Sequence, residues 1–238
     1  MPRAIVLLPA PTPLAIRQYR CASAPTRDLM ILLPGIGDLM EDYEFSGFIE
    51  AVMRTGAPAD LIVVDAHFGY YLRRTVLERL RQDVVAPARA AGYDRVWLVG
   101  ISLGGLGAAL YATEHAGDLE GLVLLAPFLG NQALLREIAE AGGLRHWQPG
   151  EEREDDYQRR LWRWLKRHAT PGEKLPALVL GYGDRDQFAP AGRLLAEALP
   201  ADRVFIVPGR HDWRTWKRLW DALLAARCLP GSTWSRLG

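Results

Sequence analysis

The chain has 238 residues, of which 49% are hydrophobic and 24% are charged, and its formal net charge is +1 at pH 7. This length and composition indicate one globular domain over residues 1–238, and the small net charge gives no reason to expect binding to nucleic acid or to an acidic membrane surface. No apolar run approaches the roughly 18 residues that a membrane span needs.

The N-terminal residues are apolar, but Pro9, Pro11 and Pro13 interrupt them, which is not the pattern of a secretory signal peptide. The two cysteines, Cys21 and Cys228, lie near opposite ends of the chain and have no metal-binding or redox spacing. Both observations favour a cytoplasmic protein with reduced thiols.

Short apolar segments typical of buried strands alternate with longer segments of helical spacing. The segments 4–8 and 14–20 are candidates for an antiparallel edge. The main predicted strands follow at 29–35, 60–66, 95–100, 121–128, 176–183 and 203–209. Because these segments are apolar throughout, they indicate a mostly parallel sheet with helices on both faces. The predicted fold class is therefore three-layer α/β.

The segment 131–170 breaks this alternation and is predicted to form two helices separated by an acidic cluster. In the second helix, one face carries Tyr157, Leu161, Trp164, Leu165 and His168. We expect this face to be packed and the arginines around it to be solvated, rather than to bind a membrane or nucleic acid. Since α/β sheets bind ligands at the carboxyl ends of their strands, we expect the insertion to form a small helical cap there.

A serine lies at the junction of the third main strand and the helix after it, in the sequence GISLG from Gly100 to Gly104. A strand that enters a helix at once must turn sharply, and glycines remove the Cβ atoms that would clash across the turn. The side chain at the apex, Ser102, projects from the sheet edge beside a helix N-terminus, which favours a developing anion. The pattern predicts a nucleophile, and a tight turn without a catalytic role is the alternative.

A serine nucleophile needs a histidine base that a carboxylate holds in place. His211 follows the last predicted strand in a glycine-containing loop, so we predict that it is the base. His67 follows an earlier strand, and we expect it to be a loop or wall residue near the cleft. The other histidines have no strand end to position them: His115, His146 and His168. Asp184 and Asp186 both follow the strand at 176–183, and their position alone leaves the acid open.

The order serine, acid, histidine resembles that of the α/β-hydrolase superfamily, and the similar motifs span nearly the whole chain. They are LLPGIGD, VGISLGG, YGDRDQFAP and PGRHDW. The resemblance implies an enzyme of the esterase and acyl-hydrolase kind, with Ser102 as nucleophile, His211 as base and Asp186 as acid. Asp186 is favoured because the superfamily often has Gly-x-x-Asp followed by apolar residues and proline. Asp212 is expected to cap the final helix instead.

The resemblance also implies an oxyanion hole of two backbone amides, which map to Ile36 and Leu103. Many members of the superfamily carry His-Gly where this chain has Pro34 and Gly35. Main-chain donors do not depend on that histidine side chain. The loop differs, however, and Gly37 is an alternative donor.

These residues predict a serine hydrolase that cleaves a small to medium carboxylic ester or thioester through an acyl-enzyme. The alternatives are an acyltransferase on the same scaffold and a non-enzymatic ligand-binding protein with a hydrolase fold; peptidase and C–C hydrolase chemistry use the same triad. The chain has no His-Glu-x-x-His and no phosphate-loop pattern, so we expect neither a metal nor a cofactor. The expected partner is a small-molecule acyl substrate, and the oligomeric state stays open.

Overall fold

A computed structural model describes residues 9–20, 25–151 and 156–226 of the chain. Within these ranges one sheet has seven strands. They are β1 (Ile16–Tyr19), β2 (Asp28–Leu33), β3 (Asp60–Val64), β4 (Arg95–Ile101), β5 (Gly121–Leu125), β6 (Ala177–Gly183) and β7 (Val204–Val207). Their order in the sheet is β1-β3-β2-β4-β5-β6-β7, with β1 antiparallel to β3 and the other pairs parallel.

The six main predicted strands are confirmed, and β1 is the antiparallel edge predicted at 14–20. The candidate strand at 4–8 and both cysteines lie outside the described residues. Every residue of β2 and β3 is buried, as the continuous apolar pattern predicted. At the opposite edge, β7 is more exposed, and Ile206 is 55% exposed.

Helices cover both faces of the sheet. They are α1 (Met40–Phe45), α2 (Phe48–Thr55), α3 (Phe68–Leu72), α4 (Val76–Arg79), α5 (Ala86–Ala90), α6 (Leu103–His115), α7 (Gln132–Glu140), α8 (Tyr157–Lys166), α9 (Ala189–Ala196) and α10 (Trp213–Ala225). A π-helical stretch, Leu80–Val85, joins α4 to α5, so that the chain is helical without a break from 76 to 90. No helix within the described ranges is long and apolar enough to cross a membrane.

The core has two parts, one on each face of the sheet. Helices α1, α2 and α10 pack on one face, and helices α3 to α9 pack on the other. Alternate residues of β2 point to opposite faces of the sheet. Met30 and Leu32 face the part of the core under α1, α2 and α10, whereas Leu29 and Ile31 face the part under α3 to α9. The predicted three-layer α/β architecture is confirmed.

The segment 131–170 contains the two predicted helices, α7 and α8. Four residues of α8 are buried in the second part of the core: Leu161, Trp162, Trp164 and Leu165. Trp162, which lies outside the predicted face, is fully buried and donates a hydrogen bond from Nε1 to the carbonyl oxygen of Leu129 at 2.7 Å. Tyr157 is 37% exposed. Helix α8 is thus an integral part of the core, and a cap function for this segment stays a prediction.

Candidate active site

Ser102 is the single residue between the end of β4 and the start of α6. Its φ of 52° and ψ of −111° are uncommon for a residue with a side chain, and such strain occurs mainly at functional sites. A Cβ on Gly100 would overlap the carbonyl oxygen of Gly104, and a Cβ on Gly104 would overlap that of Leu33. The glycines are therefore required for the steric reason that the sequence indicated.

The structure brings three of the predicted residues together. Nε2 of His211 lies 2.9 Å from Oγ of Ser102, and Nδ1 of His211 lies 2.8 Å from Oδ2 of Asp186. The Asp186 side chain is fully buried, and its other oxygen accepts a hydrogen bond from the Phe188 amide at 2.8 Å. Because Asp186 is an acceptor, the imidazole donates from Nδ1, which leaves Nε2 free to accept the Ser102 hydroxyl proton.

Aromatic rings fix the orientation of His211. The Phe188 ring lies on one side at 4.8 Å between centroids, and the Trp216 ring lies at 5.0 Å, both nearly perpendicular to the imidazole. Asp212 caps α10 as predicted, since its Oδ1 accepts a hydrogen bond from the Thr215 amide at 2.8 Å. The sequence analysis did not identify Phe188 or Trp216 as neighbours of the site.

Asp184, the alternative acid, lies elsewhere. Its Oδ1 accepts a hydrogen bond from the Gly209 amide at 2.9 Å, and its side chain is half exposed. That amide, followed by weaker effects that include Arg185, lowers the pKa of the Asp184 carboxyl. Asp184 thus joins the end of β6 to the loop that carries His211, without contacting the imidazole itself.

The remaining histidines of the described ranges have other environments. His67 is the N-cap of α3, where its Nδ1 accepts a hydrogen bond from the Gly69 amide at 3.1 Å. His115 packs against the Tyr111 ring of its own helix, His168 packs against Trp164 of the preceding helix α8, and His146 is exposed. His67 is also buried, so the residue that we expected at the edge of the cleft is a buried helix cap.

The predicted oxyanion donors lie on two segments that border Ser102. Leu103 is the first residue of α6, where an amide has no acceptor within the helix. Ile36 lies in a turn closed by a hydrogen bond from the Asp38 amide to the Gly35 carbonyl at 3.2 Å. A Cβ on Gly35 would lie 3.4 Å from the Ser102 Cβ, so the turn is directly beside the serine. The alternative donor, Gly37, lies in the same turn, and the choice between the two stays a prediction.

A groove with a volume of about 460 Å³ begins beside Leu103 and Phe128. Its walls come from α6, from the segment that contains α3 and α4, and from the start of α8. Phe68 and Tyr71 line it, whereas Tyr70, between them in the chain, is in the core. The groove depends on three elements distant in sequence, so no local pattern could have revealed it.

The class of protein is defined by the sheet and by the places of three side chains. A serine lies at the turn into the helix after β4, a carboxylate follows β6, and a histidine follows β7. The chain has the fold of the α/β-hydrolase superfamily. A model of the family described as serine aminopeptidase, S33, matches residues 77–151, which run from α4 past α7 and include Ser102. No curated protein sequence matches the chain significantly.

Solved structures of low sequence identity share this fold. A thermophilic and thermostable carboxylesterase cloned from a metagenomic library has a TM-score of 0.62 and 16% identity, over 90% of this chain and 83% of that one. An S-formylglutathione hydrolase from Staphylococcus aureus has a TM-score of 0.54 and 15% identity, over 83% and 80%. A monoacylglycerol lipase of Paleococcus ferrophilus has a TM-score of 0.53 and 18% identity, over 90% and 99%.

Proposed function

We propose that the protein is a serine hydrolase that cleaves carboxylic esters or thioesters through an acyl-enzyme intermediate. Ser102 is the nucleophile, His211 is the general base, and Asp186 orients the imidazole and stabilises its charged form. The observation that carries this proposal is the continuous pair of hydrogen bonds from Ser102 to His211 at 2.9 Å and from His211 to Asp186 at 2.8 Å. A strained serine in this network is the arrangement that activates a hydroxyl.

In acylation, Nε2 of His211 takes the hydroxyl proton while Oγ of Ser102 bonds to the acyl carbon. The carbonyl electron pair moves onto its oxygen, and the amides of Leu103 and Ile36 stabilise this oxyanion. When the tetrahedral intermediate collapses, the bond to the leaving oxygen or sulfur breaks, and His211 delivers its proton to that atom.

In deacylation, His211 takes a proton from water, and the resulting hydroxide attacks the acyl carbon. The second intermediate expels Oγ of Ser102, which regains its proton from the imidazole. One water is consumed for each ester cleaved, and a carboxylic acid and an alcohol or thiol are released.

The names of the similar structures support ester chemistry over other uses of the same residues. They are a carboxylesterase, an S-formylglutathione hydrolase and a monoacylglycerol lipase. The buried acid, the oriented imidazole and the hydroxyl together favour an enzyme over a ligand-binding protein, because binding alone does not require an activated hydroxyl.

Covalent labelling tests the proposal. A fluorophosphonate probe should label the wild-type protein at Ser102, as located by peptide mass spectrometry, and Ser102→Ala should abolish both labelling and ester turnover. Ser46→Ala, in the turn between α1 and α2, is the matched control and should be labelled like the wild type. Full labelling of Ser102→Ala, or none of the folded wild type, would overturn the proposal.

A further inference from the structure

The groove beside the candidate active site follows one face of α6. Leu103, Leu106, Leu110 and Glu114 all line it, and their spacing of three or four residues places them in one row along the helix. The row begins at the residue next to Ser102 and ends near the helix C-terminus. The groove therefore leads directly away from the proposed nucleophile.

Phe128 connects the groove mouth to the proposed catalytic residues. Its amide donates a hydrogen bond to the Ser102 carbonyl at 3.0 Å, and its side chain lines the groove. Its ring contacts that of Phe188 at 5.4 Å, and Phe188 in turn contacts His211. An acyl group bonded to Ser102 would thus leave the reacting centre beside an aromatic wall.

The walls of the groove are mainly apolar, and part of their apolar surface is open to solvent. Among the lining residues, Leu72 is 54% exposed and Tyr157 is 37% exposed. Exposed apolar side chains gathered along a groove are typical of a binding site for an apolar ligand. Three charged residues also line the groove: Glu114, at the far end of the α6 row, Arg74 and Arg160.

The dimensions of the groove match a linear chain. An α-helix rises about 1.5 Å per residue, so the row from Leu103 to Glu114 is about 16 Å long. An extended alkyl chain advances roughly 1.3 Å per carbon for bonds of about 1.5 Å, so this length holds about twelve carbons. The volume of about 460 Å³ lies within the range of ligand pockets.

We propose that this groove along α6 binds the acyl chain of the substrate, and that the enzyme prefers linear acyl groups close to dodecanoyl. The proposal rests on the proposed function and names its substrate class. Each methylene that enters the apolar groove contributes a factor of about four to kcat/KM. Beyond Glu114 a longer chain meets charge and solvent, so further methylenes lower kcat/KM instead of raising it.

Chromogenic esters from acetyl to hexadecanoyl test the proposal in wild type and in two groove variants. Wild-type kcat/KM should rise to a maximum near dodecanoyl and fall beyond it. Leu110→Trp fills the groove about 10 Å from Leu103. Its maximum should move to octanoyl or shorter, and its ratio of dodecanoyl to butanoyl kcat/KM should fall roughly 250-fold, because four methylenes lose their contacts. Leu77→Trp narrows the groove from the opposite wall and should shift the maximum in the same direction.

Met53→Trp, a similar enlargement on α2 in the other helical layer, is the control and should keep the wild-type profile. Melting temperatures verify that each variant is folded. If wild type prefers acetyl esters, or if neither groove variant moves the maximum, the groove does not hold the acyl chain. Fluorophosphonate labelling of Ser102 separates this outcome from failure of the proposed function. If Ser102 is labelled but kcat/KM does not depend on acyl length, the groove proposal alone is wrong.

Discussion

Trp213 and Asp38 join the two loops of the candidate active site. The indole Nε1 of Trp213 donates a hydrogen bond to Oδ1 of Asp38 at 3.0 Å, although the residues are 175 positions apart. Asp38 closes the turn that carries Ile36, and Trp213 begins α10, two residues after His211. One hydrogen bond therefore fixes the proposed oxyanion turn relative to the proposed base.

Aromatic contacts also position the Trp213 indole that donates this hydrogen bond. The Trp213 indole lies perpendicular to the rings of Tyr43 and Phe48, at 5.2 and 5.6 Å between centroids. Tyr43 also donates a hydrogen bond from its hydroxyl to the Leu33 carbonyl at 2.7 Å, at the end of β2 where the turn begins. These contacts position a turn that lacks the His-Gly pair of many α/β-hydrolases.

Trp213→Phe removes the indole donor and retains a ring among Tyr43 and Phe48. We expect kcat on a chromogenic ester to fall about ten-fold with a smaller change in KM, because a displaced amide stabilises the transition state less well. Asp38→Asn retains an acceptor oxygen and should keep most of the activity. Steady-state kinetics with both variants measure the change in kcat and the change in KM separately.

Trp97→Phe is the control for the loss of an indole. Nε1 of Trp97 is buried and has no hydrogen-bond partner within the described ranges, so the same substitution there removes no bond. Its kcat should match that of wild type. Equal kcat values for Trp213→Phe and Trp97→Phe would mean that the bond to Asp38 does not position the turn.

Asp186→Asn and Asp184→Asn test the assignment of the acid. In serine proteases, the equivalent loss of a triad carboxylate lowers kcat by about 10⁴-fold, because the imidazole loses its tautomer and orientation. We expect a loss of this size for Asp186→Asn, whose carboxylate contacts the His211 Nδ1. Asp184→Asn should cost far less, since the Asp184 carboxylate contacts the Gly209 amide and the Arg185 side chain and not the imidazole. Reversed losses of kcat in folded variants would assign the acid to Asp184.

Gly104→Ala tests the packing at the turn that carries Ser102. A methyl group there would overlap backbone atoms of Leu33 and Pro34, which cannot move without displacing β2. We expect a loss of at least about 3 kcal/mol in the free energy of unfolding, measured by denaturant titration. Gly117→Ala is the control, because no atom lies within 4 Å of its would-be Cβ. A Gly104→Ala variant as stable as Gly117→Ala would contradict the steric requirement.

Local patterns in the sequence were sufficient for much of the fold and indicated Ser102 and His211 as candidate site residues. Strands such as β2 are continuous apolar runs, and the spacing of Gly100 and Gly104 is itself the steric signature of the turn at Ser102. His211 was identified by its position after the last strand. Asp186 required the resemblance to a family, because the chain turns after Gly183 and strand alternation no longer predicts which side chain faces inward.

The features that the sequence did not reveal depend on pairs distant along the chain. The bond between Trp213 and Asp38 links the two ends of the domain, and neither residue type indicates the other. Trp162 is buried outside the predicted helix face, and its indole has its acceptor at Leu129, 33 positions earlier in the chain. The groove along α6 likewise exists only when α3, α4 and α8 are in place.

His168 makes the stability of the fold depend on pH. Burial lowers the pKa of His168 from 6.5 to about 4, and the positive charge of Arg167 adds to this, while Glu173 acts in the opposite direction. Its Nε2 is buried without a hydrogen-bond partner among the residues described. Between pH 6.5 and 4 the unfolded chain therefore binds more protons than the folded chain, and the free energy of unfolding falls as the pH drops through this window.

Replacing His168 by phenylalanine should remove this dependence, because the new ring keeps the contact with Trp164 but does not titrate. Denaturant titrations at pH 7 and pH 4.5 should show that wild type loses about 2 kcal/mol more than His168→Phe, after allowance for partial solvent screening. His146→Gln, at an exposed histidine, should lose as much as wild type. If His168→Phe also loses stability to the same extent, the proton is taken up by another group, because a side chain that cannot titrate cannot contribute to the slope.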